Sequence, residues 1–160
     1  MAQATIREAT PLDPAWVVAR HGELYEREFG FSRDFGHDIA AKMQAFLDRA
    51  DPLRRLWIAE MAGMRAGSIA ISEKEPKVAF LNFVLVEPEF RGRGLADAMM
   101  NRALDHARMH AMSMVSLETY SCLEGARRLY RRHGFVVERV APGIERFGRR
   151  FDQEFWSLQL

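Results

Sequence analysis

The residues best able to do chemistry lie in one short segment, Val84-Leu85-Val86-Glu87-Pro88-Glu89-Phe90-Arg91-Gly92-Arg93-Gly94-Leu95-Ala96. It joins a strand-like apolar run, a proline stop and two glycines placed immediately before a helical pattern. Glycine lets the backbone approach a ligand closely, and the first turn of a helix carries N–H groups without internal partners at the positive end of the dipole. A diphosphate suits such a turn. Arg91 and Arg93 can add charge-assisted hydrogen bonds to phosphate oxygens, or stand as solvated loop arginines. Of two other phosphate motifs, one fails here and the other is weak. A P-loop needs a Lys-Ser or Lys-Thr pair after its last glycine, where Leu95-Ala96 stands. A dinucleotide fingerprint needs a third small residue at the position of Asp97, and belongs near the start of a parallel sheet rather than after a hairpin.

The other reactive side chains carry less information. Tyr130 shares a helical face with Ala126, Leu129 and His133, while Arg127, Arg128, Arg131 and Arg132 take the opposite one. Spacing alone makes Tyr130 a core aromatic and the arginines a solvated basic face. His106 and His110 lie four apart, but a zinc site needs a third ligand and no Glu adjoins His106, so a solvated helix face and no metal are expected. Cys122, with no histidine near it, reads as an ordinary small residue at a helix start.

The elements that must position these residues follow from periodicity. Thr5 to Ala9 forms a short strand. Thr10-Pro11-Leu12-Asp13-Pro14 ends it and supplies Asp13 as an N-cap with proline at the first helical position. The helix that follows has an apolar stripe of Trp16, Val17, Leu24, Tyr25 and Phe29 and stops at Gly30. A second helix is predicted from His37 to about Arg49 on the spacing of Ile39, Met43, Phe46 and Leu47. Leu56 to Met61 and Arg65 to Glu73 make a hairpin about Ala62-Gly63, and Pro76 precedes a strand from Val78 to Val86. That run is apolar enough to predict cover on both faces. Leu95, Met99, Ala103 and Ala107 fall four apart on a helix, and Met114 to Thr119 is a strand, so strand, helix and strand form a right-handed parallel crossover. A helix from about Leu123 to His133 stops at Gly134. Phe135 to Val140 and Phe151 to Leu160 are final strands joined through Pro142-Gly143 and Phe147-Gly148.

Composition bounds the partners. The 160 residues carry 23 basic and 22 acidic side chains for a net charge of +1, which gives no global field toward nucleic acid or an anionic membrane. No apolar run approaches the roughly 20 residues that span a bilayer. The start, Met1-Ala2-Gln3-Ala4-Thr5, has no signal-like pattern, and the single cysteine cannot form an internal disulfide. A cytoplasmic, single-domain protein over 1–160 is expected, with neither nucleic acid nor membrane as a partner. The oligomeric state is open to a homodimer.

Two spaced motifs carry a family resemblance. Arg91-x-x-Gly94-x-Ala96, with Val86-Glu87-Pro88 before it, resembles the acetyl-CoA pyrophosphate motif of the GNAT family of N-acetyltransferases. Ala126-Arg127-Arg128-Leu129-Tyr130-Arg131-Arg132-His133-Gly134-Phe135 is similar to that family's Ala-x-x-Leu-Tyr-x-x-x-Gly-Phe pattern. The segments His21-Gly22-Glu23-Leu24-Tyr25 and Phe147-Gly148 to Leu160 further resemble the acetyltransferase half of bacterial proteins that fuse a MarR-type DNA-binding domain to a GNAT domain, and no DNA-binding half is expected within residues 1–160.

The resemblance implies an α/β acyl-CoA N-acyltransferase fold. This has a mixed, mostly antiparallel sheet of six or seven strands, a central splayed parallel pair and about four flanking helices. It implies acetyl transfer from acetyl-CoA to a primary amine of a small molecule, with an acyl-CoA-binding sensory module or a peptide N-acetyltransferase as alternatives. Cofactor contacts are implied for Val84, Leu85, Val86, Arg91, Gly92, Arg93, Gly94, Leu95, Ala96, Ala126 and Tyr130. A main-chain N–H of the Val84 strand would polarise the thioester carbonyl, and Tyr130 would protonate the leaving sulfur. Glu118 is the first candidate for the base, with Glu23 and Glu28 behind it. Tyr25 and Phe29 would wall the acceptor site. The chain departs from the family at Leu123, where many members carry an asparagine that helps hold the cofactor.

Overall fold

The computed structural model describes residues 3–160; Met1 and Ala2, the head of the segment read for a leader, lie outside them. Strand β1 (Thr5–Glu8) is followed by helices α1 (Asp13–Phe29) and α2 (Arg33–Asp48). Strands β2 (Arg55–Met61), β3 (Met64–Glu75) and β4 (Val78–Val86) come next, then a 3-10 turn (Pro88–Phe90) and helix α3 (Leu95–Met109). The chain ends in β5 (Met114–Tyr120), α4 (Glu124–Arg132), β6 (Val136–Arg146) and β7 (Arg149–Gln159). The seven strands form a mixed sheet in the order β1-β2-β3-β4-β5-β7-β6, with β4 and β5 as its parallel pair. No helix among the described residues is long and apolar enough to cross a membrane.

The chain folds as two compact units. The first takes the described residues of Met1–Val17 with Ala50–Val115 and Leu160. Its strands β1 to β4 pair antiparallel in sequence order. The β2–β3 turn falls where expected because Ala62 and Gly63 both adopt left-handed backbone, φ 53° and 73°, as a two-residue hairpin turn demands. Helix α3 buries Leu95, Met99, Met100, Ala103, Leu104 and Ala107. It lies close over β3, since a Cβ on Gly67 would stand 2.9 Å from Met99 Cε and 2.6 Å from the Leu85 carbonyl oxygen. Cover on both faces of β4 is not found. Ala79, Leu81, Phe83 and Leu85 are buried and the alternate residues only half so. Valine and phenylalanine pack well on a partly exposed strand face, which hides the period of two.

Asp13 is more than a cap. Its buried carboxylate accepts Thr10 N–H at 2.7 Å, pairs with Arg7 Nη1 at 2.7 Å, and takes Arg65 Nε at 2.8 Å. These hydrogen bonds, led by Arg7, hold it far below the usual carboxylate range despite burial. His106 is likewise not solvated: it packs edge-on to Trp57 with centroids 5.3 Å apart and donates Nε2–H to the Leu53 carbonyl at 2.9 Å.

The second unit takes Val18–Arg49 and Ser116–Gln159. Helix α2 begins at Arg33, four residues before the predicted start, because Phe35 is drawn into an aromatic cluster. Leu47, predicted as core, is 40% exposed. The expected break at Pro142-Gly143 is instead a bulge inside β6, between the pairs Ala141↔Gln153 and Ile144↔Phe151. An edge strand tolerates a residue lacking N–H. The true turn is at Phe147 and Gly148, φ 55° and 74°.

A carboxylate whose folded pKa is depressed adds stability that is fully present above its unfolded pKa and is lost progressively as pH falls from there through the folded pKa. Asp13→Asn is therefore expected to lower stability at pH 7 by about 2 kcal/mol, discounted because both arginines are one-third exposed. Thermal melts should show the gap from wild type closing below about pH 4.

Candidate functional site

In the first unit, Glu87 N–H bonds the Ala66 carbonyl at 2.8 Å, and the 3-10 turn anchors itself by burying Phe90. The backbone then passes through Gly92 at φ 76° and Gly94 at φ 79° before α3 begins. A Cβ at either glycine would meet nothing within 4 Å, so each is needed for its backbone conformation and opens the turn to a ligand. Among the described residues the backbone N–H groups of Gly92, Arg93, Gly94, Leu95 and Ala96 have no hydrogen-bond partner, and Gly94 supplies no side-chain cap. This is a helix start left open to an anion.

Neither arginine is loose in solvent. Arg91 Nε donates to the Val86 carbonyl at 3.1 Å, and Arg93 lies over the Phe90 ring at 5.8 Å with Nη1 3.5 Å from Met61 Sδ. Both guanidiniums thus fold back along the turn, and that of Arg93 keeps donors to spare.

Strand β4 has an irregularity that periodicity does not disclose. Ser68 pairs with Leu85 and Ala70 with Asn82, so Phe83 and Val84 together oppose Ile69. Phe83 adopts φ 53°, a left-handed backbone that costs a non-glycine residue about 1–2 kcal/mol. Such bulges re-aim the groups beside them.

In the second unit, Tyr130 is buried edge-on to Trp156 with centroids 6.0 Å apart, and 5.9 Å from Phe135. Burial pushes its hydroxyl above the ordinary tyrosine range, so it stays protonated at neutral pH. Behind it sits Glu154, a buried carboxylate that sequence reading missed. It accepts Arg127 Nε at 3.0 Å and Nη2 at 3.2 Å, and Trp156 Nε1–H at 3.1 Å. Arg127, expected on a solvated face, instead clamps α4 to β7. Leu123 is buried at the α4 N-cap and gives it no side-chain hydrogen bond.

Tyr25 stacks on Phe35 at 4.4 Å and meets Phe29 edge-on at 5.2 Å. Burial, then the neighbouring Tyr130 and Tyr120 hydroxyls and the Cys122 thiol, push the Tyr25 hydroxyl up. The three tyrosines and the cysteine therefore gather in one region. Burial also raises Cys122 and keeps it a thiol. Glu118 is exposed and accepts Gln153 Nε2 at 3.5 Å, and Glu23 is exposed and paired with Arg20. Glu28, also exposed, adds its charge to the rise at Tyr25. An open groove of about 700 Å³ is lined by Asp34, Glu145, Arg146, Phe147, Arg149 and Arg150.

Comparison with known proteins bears on both halves. The family model described as the acetyltransferase (GNAT) family matches residues 18–135. An uncharacterized N-acetyltransferase of Methanocaldococcus jannaschii is 32% identical over 100 residues, 59% of this chain and 44% of that protein. N-acetylaspartate synthetase of Rattus norvegicus is 34% identical over 80 residues, 49% of this chain and 27% of that protein. The chain thus spans less than half the length of these relatives. The structure of yncA from Salmonella typhimurium with acetyl-CoA superposes with a TM-score of 0.79 at 23% identity, over 98% of this chain and 94% of that one.

Glu154→Ala should cost about 2 kcal/mol, because it leaves the indole N–H unpaired and reduces Arg127 to its exposed contact with Glu124 at 3.4 Å. Denaturant unfolding and the near-ultraviolet signal of Trp156 check this.

Proposed function

Because the chain belongs to the GNAT acetyltransferase family, we propose that it transfers acetyl from acetyl-CoA to an amine. The observation that carries this is the run of unpartnered amides at Gly92 to Ala96. An orphan N–H row with two left-handed glycines and no occluding side chain suits a diphosphate, which helix-terminus amides hold by charge as well as by hydrogen bonds. Arg91 and Arg93 add donors at its edge. Val84, Leu85 and Val86 would lie along the pantetheine arm, and Ala126 beside it. Bound there, acetyl-CoA supplies an activated acyl group.

The chain's own residues supply the rest. A main-chain N–H of β4 donates to the carbonyl oxygen as charge builds on it. Tyr130, held protonated by burial, gives its proton to the departing sulfur. Glu118 is the carboxylate proposed to take a proton from the amine, directly or through water; its exposure favours the route through water.

We place the acceptor in the groove beside Phe147, with Tyr25 and Phe29 behind it. Three arginines against two carboxylates favour an amine that also carries a carboxylate, an amino acid before a polyamine. That one relative is named for making N-acetylaspartate agrees with this class. The openness of the groove favours a second reading, in which the acceptor is the N-terminus of a peptide. The likeness to the acetyltransferase half of MarR-type fusions, a cytoplasmic location and a homodimer belong to the same proposal.

Purified protein with acetyl-CoA and a panel of amino acids, polyamines, aminoglycosides and peptide N-termini should release thiol fastest with carboxylate-bearing acceptors. Affinity for coenzyme A with no turnover on any of them would reduce the protein to a binding module. Gly94→Val should weaken coenzyme A binding at least about tenfold in calorimetry by forcing the turn. Tyr130→Phe should leave that affinity intact and lower kcat about a hundredfold.

A further inference from the structure

Resting on the proposed reading, the geometry points to Ser68 and Asn82 as positioning residues for the amide that polarises the acetyl carbonyl, and to Val84 N–H as that amide. The left-handed Phe83 is held from both sides by side chains. Asn82 Oδ1 accepts the Phe83 N–H at 2.8 Å. Ser68 Oγ, wholly buried, donates to the Phe83 carbonyl at 2.7 Å. A peptide unit is planar and trans, so its C=O and the next N–H point in opposite directions. Fixing the Phe83 carbonyl onto Ser68 therefore fixes the Val84 N–H pointing away from Ser68.

The seat of this lock cannot drift. Ser68 follows Gly67, where β3 and β4 approach so closely that a Cβ would overlap the Leu85 carbonyl oxygen at 2.6 Å. Phe83 is itself 2% exposed, so its ring cannot swing out to relax the backbone. Neither Ser68 nor Asn82 need touch the substrate. Ser68 acts directly on the peptide plane that carries Val84 N–H, and Asn82 holds the plane before it, so that together they pin the left-handed Phe83 between two fixed planes. An amide held in place before charge develops stabilises that charge without reorganising.

The infrared arm of the test reads the carbonyl itself and needs no acceptor; thiol release is followed with an amine acceptor present. Acetyl-CoA carrying ¹³C at the acetyl carbonyl is bound to wild type, Ser68→Ala, Asn82→Leu and Asn82→Asp, and the isotope-edited infrared stretch is recorded beside the coenzyme A affinity of each. In wild type the stretch should move to lower frequency on binding. Ser68→Ala and Asn82→Leu should lose most of that displacement with affinity unchanged, and thiol release should slow about tenfold, less than outright removal of a donor. Asn82→Asp, which keeps the accepting oxygen, should retain it. The full displacement in Ser68→Ala and Asn82→Leu would overturn the assignment. If Ser68→Ala does not fold, the contrast between Asn82→Leu and Asn82→Asp decides alone. Wild type that fails to bind coenzyme A defeats the acetyltransferase reading instead, and with it this inference.

Discussion

Five consecutive backbone N–H groups at the head of α3 are left without a partner among the described residues, and the surrounding structure is what keeps them so. A chain free to relax would satisfy them by capping or by tightening the turn. Here Gly92 and Gly94 sit left-handed, Phe90 is anchored below, and Leu95 and Met99 fix the first turn of α3 in the core. The close approach of β3 at Gly67 seats Met99 in turn. Stability held in apolar packing thus maintains an exposed row of donors aimed outward.

The second unit solves a different problem, keeping a phenol dry and oriented. Tyr130 has no charged group among the causes of its shift; burial alone raises it. Its orientation comes from Trp156, and that of Trp156 from Glu154, whose carboxylate is shared between the indole and Arg127. A buried carboxylate is stabilising only when its lone pairs are filled, and here a bidentate guanidinium and an indole fill them. The arginine side of α4 therefore fixes the helix that presents the tyrosine.

What was legible in the sequence was whatever repeats locally. The hairpin at Ala62-Gly63 and the face Leu95-Met99-Ala103-Ala107 appear where periodicity puts them. What was not legible depends on residues distant in the chain. Thr10 and Asp13 look like a helix start, but nothing near them announces Arg65 as the second cation. Arg127 looks solvated until Glu154 arrives from β7. The start of α2 is set by aromatic packing around Phe35, which a 3.6-residue count cannot see. Phe83 gives no warning of its left-handed backbone, since glycine or asparagine is the usual signal and the asparagine stands one residue earlier. The turn at Gly92-Gly94 was readable because glycine marks it, and the bulge was not because phenylalanine does not.

On the proposed reading, the acceptor side is constrained by what the aromatic cluster cannot do. Phe31, Phe35, Phe147, Phe151 and Tyr120 touch one another and are at most 7% exposed. Packed rings of this kind do not open for a ligand without losing contacts on every side. They form a wall, and a wall excludes by shape but discriminates little between amines of similar size. Discrimination then falls to side chains that can still change partners. Arg150, whose exposed pairing with Glu145 is loose at 3.7 Å, can exchange that carboxylate for another at little cost. Arg149 is tied to the Phe29 carbonyl and joins the groove to the Tyr25 cluster. Selectivity for charge at the rim, over a rigid apolar wall, is the division of labour that this arrangement permits.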